Sequence, residues 1–177
     1  PPIGADAAAS MSDRGWLGAM AKYAKGVEHA SHSRGGPREL ARVLKDRVTR
    51  VPERFHALAL RAPGGLDEAY VEAFLEGLAE ADAPPERVFG LIRRFASGAS
   101  RPLRRAMAWT LGKVVDGGFP LPADVTGLLD AWVHGSPGDD EAHWERESRD
   151  PSMGAINSER GVALIVLLHA RAAEAGE

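Results

Sequence analysis

The sequence predicts an all-α protein, arranged as a right-handed α-solenoid of antiparallel helix pairs with about eight helices. Apolar residues recur at helical spacing from Ser12 to Ala173, and no segment shows the convincing alternation of a β-strand. Three proline-led segments also repeat along the chain. Because one helix pair cannot bury its apolar stripe alone, repeated pairs are expected to stack into a continuous core.

The first half of the chain predicts four helices. Ser12 can cap the first, since a serine hydroxyl accepts a hydrogen bond from a free N–H of the first turn. Pro37 suits the first turn of the second helix, which stops before Pro52 because proline disfavours helical geometry in the residue before it. Pro52 opens the third helix. The break at residues 63–65 precedes a fourth, which begins near Asp67.

The second half predicts four more helices. One follows Pro85, and Ser100 caps the next, which ends at two consecutive glycines. Pro122 starts a third helix. Asn157 or Ser158 caps the last, whose middle is apolar nearly all round and must be covered by the preceding repeat and the insertion, by further chain or by self-association.

The repeat is seen most clearly in residues 52–58, 85–91 and 122–128. Each copy has proline first, an apolar residue three positions later and leucine six positions later. An aromatic residue follows ten positions after the proline in two copies, as Phe95 and Trp132. The copies begin 33 and 37 residues apart, which is the period of a helix-pair repeat.

The second helix of each pair repeats as well. The offset of 33 aligns Tyr70, Phe74 and Leu78 with Leu103, Met107 and Leu111. Residues 104–108 match residues 160–164 at an offset of 56, which indicates an insertion of about 20 residues in the third pair. An irregular helical bundle is the alternative, because prolines at helix starts and regularly spaced leucines occur in any amphipathic helix.

Composition limits the function classes. The chain has 177 residues, a net charge of −3 and no cysteine, so disulfides, thiol nucleophiles and cysteine-based zinc sites are excluded. Residues 1–11 are expected to be frayed, and residues 12–177 to form a single repeat domain with an acidic insertion at about residues 134–156. The start without methionine suggests an excised piece of a longer chain, and a cytoplasmic location is the default expectation.

The period resembles HEAT-type and armadillo-like repeats. Residues 104–109 and 150–163, above all the Asn157-Ser158-x-Arg160-Gly161 pattern, resemble the helical-repeat regions of large bacterial NACHT/STAND signal-transduction ATPases. The resemblance implies a sensor or scaffold portion that binds a ligand or partner and restrains oligomerisation. The chain contains no G-x-x-x-x-G-K-[ST] loop, so the ATPase module itself would lie elsewhere.

The insertion is the segment that packing explains least. Between His134 and Ile156 it carries six acidic and two basic residues, for a local charge of −4. Carboxylates with His134 and His143 could bind a divalent cation, which makes a small helical metal-dependent enzyme centred on residues 134–150 one alternative. A solvated loop is favoured, because the spacing fits neither an EF-hand loop nor an H-E-x-x-H helix. Trp144 either folds onto the core or anchors a partner.

Basic residues form the strongest candidate surface. Arginines recur from Arg87 to Arg105 over two consecutive helices, and Glu86 is their only acidic neighbour before Asp116. Arginine suits carboxylate or phosphate, so a nucleic-acid-binding repeat protein is the second alternative. A solvated face whose arginines pair within the chain is the simpler interpretation. Arg160 is expected to bond main-chain carbonyls or the Asp150 carboxylate.

The sequence therefore predicts a non-catalytic interaction or sensor module that belongs to a larger bacterial signalling or defence protein. It contains no recognisable catalytic residue and predicts no metal and no cofactor. The expected partner is a protein or another part of the same chain, and self-association is a further option. No membrane partner is expected. The candidate partner-binding residues are Arg93, Arg94, Arg101, Arg104, Arg105 and Trp144.

Overall fold

The computed structural model describes residues 3–24, 36–135 and 158–175, and these ranges confirm the all-α prediction because they contain helices and no strand. The chain divides into two compact units, Pro1–Ser97 and Gly98–Glu177. The described helices are numbered α1 to α9 in chain order.

The first unit contains six described helices. They are α1 (Ala5–Ser10), α2 (Asp13–Ala24), α3 (Pro37–Arg50), α4 (Pro52–Arg61), α5 (Glu68–Glu80) and α6 (Pro85–Phe95). The Gly15 amide donates to the Ser12 hydroxyl at 3.2 Å, which confirms Ser12 as a cap. Three of the helices begin with proline, as the sequence predicts.

Helix α1 lies within residues 1–11, which the sequence predicts to be frayed. It is six residues long and rich in alanine, the residue with the highest helix propensity. Ala8 is fully buried, and α1 contacts α3. Packing against α3 supplies the stabilisation that such a short helix lacks by itself.

The core of the first unit is formed by alternate as well as consecutive helices. Helix α3 packs most extensively on α5, and α4 contacts both α5 and α6. Trp16 and Phe55 are fully buried and meet edge to face, with their ring centroids 5.6 Å apart. Gly77 lets α5 approach α3 so closely that an added Cβ would lie 2.6 Å from the Cβ of Val48.

Helices α4 and α6 are joined at both ends. The Arg87 guanidinium lies 2.8 Å from a Glu53 carboxylate oxygen near the helix starts. At the helix ends, the Arg94 guanidinium donates to the main-chain carbonyl of Ala62. Because start meets start and end meets end, the two helices run in the same direction. The paired residues are 34 and 32 positions apart, close to the repeat offset of 33.

The same pattern of arginines occurs on α4. Arg54 and Arg61 lie two and nine positions after Pro52, as Arg87 and Arg94 do after Pro85. Both α4 arginines reach back to α2, where they bind the carboxylate of Asp13. The Arg54 Nε atom lies 2.8 Å from Asp13 Oδ1. In both copies of the repeat, therefore, two arginines bind an earlier helix: those of α4 bind α2, and those of α6 bind α4.

Acid should weaken the first unit through Asp13. Hydrogen bonds from Arg54 and then Arg61 lower the pKa of the Asp13 carboxyl below its ordinary 3.8. Its stabilisation is therefore complete above pH 3.8 and is lost as the pH falls through the lowered folded pKa. We expect Asp13→Asn to lower the free energy of unfolding by about 1 kcal/mol at neutral pH and to leave it unchanged in strong acid. Urea unfolding of both proteins across this range measures the difference, and a constant difference at all pH values would contradict the assignment.

The second unit contains α7 (Arg101–Asp116), α8 (Ala123–His134) and α9 (Glu159–Ala175) among its described residues. Ser100 and Ser158 cap α7 and α9, because their hydroxyls accept from the amides of Leu103 at 3.4 Å and Gly161 at 3.0 Å. Helix α9 packs on both α7 and α8. Arg160 donates to the Gly135 carbonyl at 2.7 Å, which confirms that this arginine bonds a carbonyl.

Helices α7 and α9 also run in the same direction. Arg104 and Glu159 meet at the helix starts, with Nε and Oε1 2.9 Å apart. Near the ends, His169 Nδ1 lies 3.6 Å from Asp116 Oδ1. Between them, Gly112 faces Val166 so closely that an added Cβ would come within 3.3 Å of Val166 Cγ2. Contacting residues are thus 53 to 55 positions apart, near the predicted offset of 56.

The repeat positions are largely buried. The apolar residue three positions after each proline is buried in all three copies, as Phe55, Val88 and Val125. The six aligned residues of α5 and α7 are also buried. Leu128 differs from its counterparts Leu58 and Leu91, because it is only half-buried. The repeated pattern therefore marks the core of both units.

Candidate docking surface

The predicted arginine surface is divided between the two units. Arg93 and Arg94 lie on α6 in the first unit, whereas Arg101, Arg104 and Arg105 lie on α7 in the second. Arg94 binds the Ala62 carbonyl, and its guanidinium also lies 5.4 Å from the ring centroid of Phe95. A structural role in joining α4 to α6 therefore accounts for Arg94.

Arg104 belongs to a partly buried ionic cluster. Its side chain is 29% exposed and that of its partner Glu159 is 11% exposed. Burial raises the pKa of the Glu159 carboxyl, against the opposing attraction of Arg104, Arg101 and Arg160. The guanidinium groups of Arg101, Arg104 and Arg160 therefore all act on the Glu159 carboxylate, where α7 and α9 begin. Arg104 holds these two helices together.

The outer face of α7 carries a different set of side chains. Arg101, Arg105, Trp109 and Lys113 follow one another at intervals of four residues, and we call them the α7 stripe. Residues four apart are neighbours on a helix surface. Arg105 and Lys113 are exposed, Trp109 is 53% exposed, and Arg101 is half-buried. Trp109 is thus a large aromatic side chain at the surface, with a cation one turn away on either side.

The chemistry of the α7 stripe suits recognition. Tryptophan and arginine are the residues most enriched among those that dominate binding energy at protein interfaces. The indole offers apolar area with little loss of side-chain entropy, and the neighbouring cations attract carboxylates or phosphates. Sequence reasoning treated Trp109 only as part of a family pattern. The signal that could have found it is the four-residue spacing that joins it to Arg105 and Lys113.

Among the residues that the structure describes, the remaining predicted residues form no metal site. Trp144, His143 and the acidic residues of the insertion lie outside the described residues. His134 is exposed, and its Nδ1 lies 2.9 Å from the Asp130 carbonyl of the same helix. Across residues 3–24, 36–135 and 158–175, no three histidine, aspartate or glutamate side chains come together in a way that could hold a metal ion.

His56 has a packing role in the first unit. It is half-buried on α4, and its Nε2 would lie 3.8 Å from a Cβ at Gly90 of α6. Burial lowers the pKa of the His56 imidazole, and the nearby Arg87 adds to that shift. His56 therefore helps to pack α4 against α6.

Comparison of the chain with protein-family models, with curated proteins and with solved structures finds no match. Among the described helices, none is both long and apolar enough to span a membrane. The resemblance to bacterial sensor regions stays a prediction.

Proposed function

We propose that this chain is a non-catalytic recognition module that docks an acidic protein segment on the α7 stripe. The observation that carries the proposal is the exposed Trp109 between Arg105 and Lys113 on the outer face of α7. Positive charge attracts a segment rich in aspartate or glutamate, and an apolar residue of that segment would cover the indole.

The stacking of the helices supports a solenoid as the scaffold. Helices α4 and α6 run in the same direction, as do α7 and α9, and their contacts fall close to the sequence offsets of the repeat. In a solenoid, equivalent helices of successive repeats lie side by side in this way. A HEAT-like arrangement of antiparallel pairs would present α7 on a rigid surface, where a docking stripe keeps its geometry.

The wider role rests on the family resemblance alone. It would make the chain the sensor part of a larger cytoplasmic signalling ATPase of bacteria, in which capture of a partner releases oligomerisation. The genomic reading frame tests this directly. A P-loop upstream of the segment supports it, and a frame confined to these 177 residues would contradict it.

Nucleic acid is the second candidate ligand. A base can stack on an exposed tryptophan while arginine and lysine contact the phosphates, and the α7 stripe offers both groups. The net charge of −3 opposes this reading, because it gives no long-range attraction for a polyanion. An acidic peptide, with far lower charge density, fits the small stripe better.

Two single substitutions should weaken docking. We expect Arg105→Glu and Trp109→Ala each to weaken binding of a fluorescein-labelled peptide of glutamates around a central leucine by about tenfold or more. Arg42→Glu is the matched control, because Arg42 is an exposed arginine on α3 in the other unit. Fluorescence anisotropy measures the affinities, and circular dichroism checks that the variants remain folded.

The same assay separates the candidate ligands. Equal affinities for wild type, Arg105→Glu and Trp109→Ala would reject the stripe as the docking surface. A labelled single-stranded oligonucleotide serves as the competing probe. If it binds more tightly than the peptide, with an affinity that falls steeply as salt is raised, nucleic acid replaces the acidic segment as ligand.

A further inference from the structure

Helix α9 exposes a second surface that docking on α7 does not use. Leu164, Ile165 and Leu168 are 46%, 38% and 57% exposed, and we call them the α9 stripe. Their spacing of one, three and four residues places them on one face of the helix. The small residues Gly161 and Ala172 continue this face at either end. An exposed apolar stripe of this kind marks an interaction surface.

The repeat relates the α9 stripe to positions on α7 that contact a neighbouring helix. The offset of 56 that relates α7 to α9 places Leu164 at the position of Ala108 and Leu168 at that of Gly112. On α7 these positions face the neighbouring helix: Ala108 is fully buried, and Gly112 lies against Val166 of α9. The α9 stripe therefore points in the direction in which α7 receives a helix.

The leucines also indicate that the occupant is not another helix packed in the same way. Helix α9 approaches α7 closely because Ala108 and Gly112 are small, and even one added methyl at Gly112 would come within 3.3 Å of Val166. Leu164 and Leu168 would keep a helix in that register at a greater distance. They instead suit an opposing apolar helix face into which their side chains interdigitate.

Within the described residues, α9 itself is the best match for such a face. Six large apolar side chains are exposed in that part of the chain, and three of them form the α9 stripe. The other three are Leu60 on α4, Trp109 on α7 and Phe119 in the connection after α7, so no other described helix exposes more than one. A surface that pairs with itself forms a two-fold symmetric dimer, the commonest form of protein self-association.

We propose that two copies of the chain associate through an antiparallel pairing of their α9 stripes. A two-fold axis opposite the midpoint between Val166 and Leu167 places Ile165 of one copy opposite Leu168 of the other. The same register places Gly161 opposite Ala172, so the helix ends can approach closely. Antiparallel helices also oppose their dipoles favourably.

The charge on this face agrees with self-pairing. The register pairs residues 161–172 of the two copies, in which His169 lies opposite Leu164 and Arg171 opposite Val162, so no two ionisable residues face each other. Further along, His169 lies near Asp116, and Arg171 lies 3.9 Å from an Asp130 carboxylate oxygen. Each copy therefore carries its own counterions beside the stripe. The stripe is small against the roughly 800 Å² per partner of a stable interface, so the dimer dissociates on dilution.

Sedimentation velocity over a range of concentrations tests the association. For wild type we expect the weight-average mass to rise from the 18.9 kDa monomer toward the dimer. The double variant Leu164→Glu, Leu168→Glu should remain monomeric, while Leu60→Glu, a matched exposed leucine on α4, should associate like wild type. Wild type that stays monomeric, or a double variant that still associates, would overturn the proposal. If the double variant fails to fold, Leu168→Asn alone replaces it.

Because the chain contains no cysteine, single introduced cysteines can test the register of the two helices. Ile165→Cys and Leu168→Cys proteins are mixed and oxidised. The antiparallel register brings position 165 of one copy close to position 168 of the other, so the mixed disulfide should form in excess over both homodimers. An excess of the Leu168→Cys homodimer would instead show a parallel arrangement and contradict the proposal. Docking on the α7 stripe is independent of either outcome.

Discussion

Replacement of Gly77 by alanine is expected to destabilise the first unit by about 1 to 3 kcal/mol. The added Cβ would lie 2.6 Å from the Cβ and 2.8 Å from the Cγ1 of Val48, and 3.0 Å from the main-chain oxygen of Lys45. Val48 is fully buried, and the Lys45 oxygen belongs to the helix backbone, so neither can move without shifting α3. The clash therefore outweighs the better helix propensity of alanine.

Gly18→Ala is the matched control for this prediction. Gly18 is exposed on α2 in the same unit, and nothing lies within 4 Å of an added Cβ. Alanine should therefore stabilise the protein there by about 1 kcal/mol through propensity alone. Urea unfolding followed by circular dichroism measures both variants. If Gly77→Ala were as stable as Gly18→Ala, the close packing of α3 on α5 would be wrong.

Removal of the Arg104 side chain should have a comparable effect on the second unit. Arg104→Ala removes the guanidinium that lies 2.9 Å from the Glu159 carboxylate, whose side chain is only 11% exposed in the native protein. Arg101 and Arg160 remain near that carboxylate, so loss of its closest cation should lower the free energy of unfolding by about 2 kcal/mol. The loss should be smaller below the raised pKa of Glu159, because the protonated carboxyl needs no counterion.

The expected pattern across three variants makes this prediction specific. Arg104→Ala should lower the urea midpoint strongly, while Arg105→Ala, one residue along on the exposed side of α7, should cost less than about 1 kcal/mol. The double variant Arg104→Met, Glu159→Leu should recover part of the loss, because it leaves no carboxylate without its closest cation, while Arg101 and Arg160 lose one attracting charge. Equal losses in the free energy of unfolding for Arg104→Ala and Arg105→Ala would contradict the assigned role of Arg104.

Helix starts were predictable because their signals are local. Ser12, Ser100 and Ser158 cap helices as expected, since a serine hydroxyl acts on amides only two or three residues away. The repeat offsets also predicted which residues are buried, and they agree with the contacts between α7 and α9. Helix α1 was missed, because its stability depends on burial of Ala8 and contact with α3 rather than on its own length.

The roles of individual surface residues were less predictable. Arg104 and Arg105 look alike in the sequence, but one pairs with a carboxylate 55 positions away and the other faces outward. Trp109 and Trp132 are both large apolar residues on helices, yet only Trp132 is buried. Periodicity defines a stripe on one helix. Which part of that stripe another helix covers depends on tertiary packing.

The central claim, docking of an acidic segment on the α7 stripe, is tested most directly by the indole N–H signals of the four tryptophans in a nitrogen-15 correlation spectrum. The Trp109→Phe protein assigns the Trp109 signal by its disappearance, and Trp16→Phe does the same for the fully buried Trp16. On titration with the acidic peptide, the Trp109 signal should shift and saturate while the Trp16 signal stays in place. A Trp109 signal that does not move while the peptide binds, or no binding at all, would contradict the account.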